Sequence, residues 1–92
     1  MVSFNEELEA AKAARAAVNA ILTTERRQGL ATLKNASRVA ILNLGSGDAV
    51  NEARGRVGIA LSSIMYGLPT AEKINKAKSA IDAWIKELAR RL

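Results

Sequence analysis

The side chains in this sequence best placed to do chemistry are cations, and their spacing singles out one segment. Between Glu25 and Asp48 there is no carboxylate, while Arg26, Arg27, Lys34 and Arg38 all occur. On a helix beginning near Thr24, Arg27, Lys34 and Arg38 share one face at spacings of seven and four. A ridge of that kind can neutralise phosphates, each contact adding salt-sensitive affinity. The competing reading is a solvated flank, or one that meets the acidic start of the first helix.

Arg15 and Arg54 complete the set of possible anion ligands. Arg15 stands in the middle of an apolar stripe, where the heptad pattern calls for a hydrophobe, so it needs a partner or an exit. Its stem can snorkel past a neighbouring helix. Alternatively its guanidinium reaches across a subunit interface or into a ligand cleft, to a carboxylate or a phosphate. Arg54, with Arg56, follows Gly45-Ser46-Gly47, a loop whose free backbone N–H groups could cradle a phosphate at a helix start. Asp48 opposes this by placing negative charge where the anion would sit, and no lysine fills the P-loop position.

Catalysis has little to work with. The chain contains no histidine and no cysteine, which removes the usual general base, the thiolate nucleophile and the commonest transition-metal ligands. The same-face carboxylate pairs, Glu6 with Glu9 and Asp48 with Glu52, sit at helix starts where capping and the helix dipole explain them. A carboxylate pair could hold a magnesium ion, but nothing beside either pair assembles a substrate site. The expectation is a protein that is not an enzyme and takes no cofactor or metal. A DNA-reading helix-turn-helix fits poorly too, because either choice of turn glycine puts an asparagine, Asn51 or Asn43, at an inward position.

These residues are positioned by helices. Ser3 with Glu6 has the form of a capping box, which starts helix 1; Phe4, Leu8, Ala11, Val18 and Leu22 form its stripe, with Ala14 and Ile21 on one flank. The register then shifts, so a turn is expected between Thr23 and Gly29, with Thr23 or Thr24 capping helix 2. Leu30, Leu33, Ser37, Ala40, Ile41 and Leu44 supply the apolar face of helix 2. Gly45 to Asp48 is a loop, and Gly67, Pro69 and Thr70 mark the last helix boundary. In the final helix Ile74, Ala77, Ile81, Trp84, Ile85, Leu88 and Leu92 lie on one side.

The helix from 48 to 66 is read as central. Val50, Ala53, Val57, Ala60, Leu61 and Ile64 fall in a stripe roughly a third of the circumference wide. Ile59 and Tyr66 point the opposite way, and Asn51, Gly55, Gly58 and Ser62 line a third strip. Each glycine inside a helix costs about 1 kcal/mol relative to alanine, which predicts an offsetting close approach of another backbone. Ile59, Tyr66, Gly55, Gly58 and the anchor Trp84 are therefore the expected interface residues. Surface charges look self-paired at i,i+4: Glu52 with Arg56, Glu72 with Lys76, Lys78 with Asp82, Asp82 with Lys86 and Glu87 with Arg91.

Length and composition bound the rest. The 92 residues make one domain, 1–92, with net charge +5, a pI near 10.1, 49% apolar residues and only Phe4, Tyr66 and Trp84 aromatic. A chain this short buries only somewhat over 60% of its unfolded surface, and alanine adds little area per residue. Oligomerisation is therefore expected. There is no apolar run of eighteen residues to span a membrane, and the acidic N-terminus lacks the features of a secretory signal. A cytoplasmic location is expected.

The expected fold is all-α, a compact bundle of three to four helices near 4–23, 25–44, 48–66 and 71–91, completing its core by homo-oligomerisation. In composition the chain is similar to many small phage and prokaryotic accessory proteins, without a motif behind the likeness. The expected function is a non-enzymatic interaction protein that associates with itself and docks on a larger macromolecular assembly. The alternative is nucleic-acid or nucleotide binding, including nucleotide sequestration, through the basic face of helix 2.

Overall fold

The computed structural model describes residues 2–45 and 48–92, which form four α-helices and no strand. They are α1 (Phe4–Ala17), prolonged by a 3-10 turn over Val18–Ala20, α2 (Arg26–Leu42), α3 (Ala49–Met65) and α4 (Ala71–Ala89). Each helix packs on its neighbours in the chain and α4 closes back on α1, so the helices stand in a ring whose diagonal is bridged from α1 to α3 by the side chains of Glu7 and Arg54. The start of α1 meets the end of α2, the second turn of α3 and the last third of α4, which makes the topology up-down-up-down. A radius of gyration of 12.1 Å matches the roughly 12 Å of a compact chain this long. The single chain therefore closes its own core.

Local capping sets three of the four helix starts. Ser3, Asp48 and Thr70 each accept a backbone N–H three residues on, from Glu6, Asn51 and Lys73, at 3.1, 3.1 and 3.2 Å. Helix 2 departs from this pattern. Its N-cap is Glu25, without a side-chain bond, whereas Thr23 closes the preceding turn by donating to the Ala20 carbonyl at 2.7 Å and accepting from Glu25 N–H at 3.1 Å. Helices 1 and 2 are thus separate elements.

The buried faces of α1 and α2 are rotated from the expected ones. In α1 the seam is Glu7, Ala11, Ala14, Val18 and Ile21, at spacings of four and three, while Leu22 is exposed. In α2 it is Gly29, Leu33, Ala36, Ser37, Val39 and Ala40, leaving Ile41, Leu42 and Leu44 exposed. Small side chains explain both rotations. A Cβ on Gly29 would stand 3.1 Å from the Ala17 carbonyl oxygen and 3.2 Å from Ile21 Cδ1, so the first turn of α2 lies directly against the end of α1. Gly29, Ala36 and Ala40 let the helices approach, and that contact outweighs burying bulkier residues one position away.

Helix 3 follows its expected stripe, with Val50, Ala53, Val57, Leu61 and Ile64 buried and Arg54 added to it. The other sides of the helix are open. Nothing lies within 4 Å of a Cβ built on Gly55 or Gly58, and Ile59 and Tyr66 are 76% and 81% exposed. Among the described residues no other helix approaches Gly55 or Gly58 closely; the close approach within the bundle is at Gly29.

Gly29→Leu should lower the unfolding free energy by about 1–3 kcal/mol, the usual cost of overpacking. Denaturant melts of the two proteins check it; an unchanged midpoint would contradict the close packing of α2 on α1.

Candidate functional site

The first question about any polar group is whether the fold has already used it. Glu7 is completely buried, and its carboxylate collects a donor set from the three other helices. Arg54 Nε donates to Oε2 at 2.7 Å and Arg54 Nη2 to Oε1 at 2.8 Å, a bidentate fork. Asn43 Nδ2, at the C-cap of α2, donates to Oε1 at 2.7 Å, and Trp84 Nε1 donates to Oε2 at 2.8 Å. Each oxygen thus accepts two hydrogen bonds, which fills its lone pairs. Asn43 also exchanges two 3.0 Å bonds with the backbone of Val2, and the Phe4 ring lies 5.7 Å from the Arg54 guanidinium carbon. No buried side-chain nitrogen or oxygen among the described residues lacks a partner.

Burial alone would raise the Glu7 pKa, since it penalises the charged form. Hydrogen bonds from Arg54, Asn43 and Trp84, with the positive charge of Arg54, outweigh that penalty and hold the carboxyl below its ordinary range. Glu7 is therefore an ionised, saturated structural anion. With no free lone pair and no exposure, it has no way to exchange a proton with a substrate.

This network corrects two expectations. Arg54 is committed to Glu7 and does not serve as a surface anion ligand. Trp84 is wholly buried and cannot anchor an interface. Arg15 finds its partner within the chain: its Nε lies 2.8 Å from Asp82 on α4, with the arginine about one-third exposed. Asp82 is engaged there, and its expected pairs with Lys78 and Lys86 are absent among the described residues. The pairs Glu52 with Arg56, Glu72 with Lys76 and Glu87 with Arg91 form as expected, at 4.0, 3.5 and 3.5 Å. Ser46 and Gly47 of the proposed phosphate cradle lie outside the described residues.

Two features remain on the surface of α2 and α3. Arg27, Lys34 and Arg38 are all exposed along the outer side of α2, and no carboxylate stands within 4 Å of them among the described residues. Arg38 only touches its neighbour Asn35, at 3.2 Å. Beyond the ridge, Ile41, Leu44 and Ile59 border an open groove of about 380 Å³ floored by Gly55, Gly58 and Ser62. The glycine strip and Ile59 were legible from sequence; Ile41 and Leu44 had been assigned to the core. No known family, curated protein or solved structure matches the chain.

Replacing Glu7 or Arg54 singly by an apolar residue should cost about 3–5 kcal/mol, because the other charge stays buried and unpaired. Glu7→Leu/Arg54→Met should cost no more than either single change, which a double-mutant cycle in urea tests. Strict additivity would show that the pair is not coupled.

Acid should also weaken the fold through this one group. A carboxyl with a depressed folded pKa adds stability above its unfolded pKa, about 4.3, and loses it as pH falls through the lower folded value. The melting temperature of the wild type should drop below about pH 4.3 more steeply than that of Glu7→Gln. Parallel profiles would refute the assignment.

Proposed function

We propose that the chain is a non-enzymatic helical interaction module that pairs with a second copy of itself through the outer face of α2 and α3, and so presents itself to a larger assembly. The observation that carries this reading is the groove in which Ile41, Leu44 and Ile59, 56%, 46% and 76% exposed, surround the bare backbone of Gly55 and Gly58. Large apolar side chains around a strip without side chains suit a helix that approaches closely. The fold offers no reason of its own for glycine at 55 or 58, since nothing lies within 4 Å of either position. A second copy related by a two-fold axis would bring the same strip against itself.

A second reading rests on the basic ridge. Arg27, Lys34 and Arg38 stand free of carboxylates and beside the same face, where they could take phosphates of a nucleic acid or nucleotide. Changing all three to alanine should then abolish a binding that weakens steeply with salt. Equal retention of DNA and RNA by wild type and triple variant in gel shifts would exclude it.

Gly55→Ala and Gly58→Ala separate a free face from an interface. On a free helix face each change would stabilise the chain by up to about 1 kcal/mol. At a close interface the added methyls should weaken the dimer at least tenfold, read by analytical ultracentrifugation. A monomeric wild type whose stability simply rises with both alanines would overturn self-association.

A further inference from the structure

We infer that the trough between α3 and α4 is a docking site for an acidic amphipathic helix of a partner protein. The inference rests on reading the chain as an interaction module, but not on its self-association. The trough encloses about 810 Å³ on the opposite side of α3 from the glycine strip, with Ile59 on the crest between the two. Its floor is Ala60, Ala80 and Ala83, and its rim carries Arg56, Lys73 and Lys76.

The shape fits a helix better than a compact ligand. From Lys73 to Ala83 the α4 wall runs ten residues, about 15 Å of helix axis, or nearly three turns of a rod lying along it. Alanine at 60, 80 and 83 leaves the depth unfilled, so a partner must bring the bulk, with leucine-sized side chains at i, i+3, i+4 and i+7.

The charge decides what kind of helix. Among the described residues Glu72 is the one carboxylate lining the trough, and it lies 3.5 Å from Lys76. Arg56 has a partner only at 4.0 Å, Glu52, with both side chains 73% exposed. Lys73 has no ion-pair partner among the described residues. The rim is therefore net positive and loosely paired, which selects acidic flanks and repels basic ones. A second copy is a poor occupant by the same rule. Helix α2, which exposes Ile41 and Leu42, carries Arg26, Arg27, Lys34 and Arg38 and no carboxylate.

The test is selection from a displayed library of 18-residue helical peptides, with leucine fixed at the four anchor positions and Glu, Ala or Lys allowed on the flanks. The full chain is the bait, and Ala80→Trp, which fills the trough, is the counter-bait. Lys73→Glu/Lys76→Glu alters only the rim, and circular dichroism melts confirm that both variants fold. Glu-flanked binders should emerge and lose at least tenfold in affinity to either variant, with the mass in native mass spectrometry unchanged. Absence of trough-dependent binders, or binders indifferent to flank charge, would overturn the inference. So would a change of subunit number in Ala80→Trp, which would make the trough a self-interface. A monomeric wild type that still selects Glu-flanked peptides would end self-association and leave the trough standing.

Discussion

One ionised carboxylate organises this bundle. Glu7 sits where a heptad seam calls for a hydrophobe, and burying its charge is tolerable only because Arg54, Asn43 and Trp84 bring four hydrogen bonds to it. Those donors come from α3, the end of α2 and α4, so the network meets its geometry only when all four helices are in one register. A buried pair of this kind adds little net stability compared with well-packed hydrophobes, but it penalises every arrangement that leaves a charge unpaired. In an alanine-rich core, where sliding one helix by a turn exchanges one small residue for another, that penalty supplies the specificity that side-chain shape does not.

The rest of the interior follows from close approach. Ala11 and Ala14 on α1 and Gly29, Ala36 and Ala40 on α2 are buried together, which draws the two helices near enough for the small residues to make good contact. The consequence shows outside. Bulkier residues at and just beyond the end of α2, Ile41, Leu42 and Leu44, are turned to the surface, and Ile59 stands out from α3. The apolar faces proposed to receive partners are thus a by-product of how the core is sealed.

What could be read from the sequence was what is local. The cap at Ser3, the helix boundary at Thr70, the four helices and the seam of α4 depend on neighbours a few residues away, and they form as their patterns predict. The seam of α4 needed no tertiary information because Ile74, Ala77, Ile81, Trp84 and Leu88 allow one apolar face, although Leu92, expected on it, lies beyond the helix and is exposed. The buried faces of α1 and α2 are set by contacts across the bundle, which no local pattern encodes. A carboxylate in a first turn usually belongs to the helix dipole, so the signal that marks Glu7 as buried is its place in the series Glu7, Ala11, Ala14, Val18, Ile21. Arg15 was correctly seen to need a partner, but Asp82 is 67 positions away and no periodicity reveals it. Gly29 has the backbone of α1 against it, while Gly55 and Gly58 have nothing within 4 Å among the described residues.

Direct titration of the Glu7 side-chain carboxyl by carbon-detected NMR, followed by its own chemical shift, is the closest measurement of this organising charge. The bundle described above requires a pKa below the ordinary glutamate range and a Trp84 indole N–H that shifts with the same midpoint. A Glu7 pKa at or above the ordinary value, or an indole resonance indifferent to that titration, would mean the carboxylate is not the group that holds the four helices together.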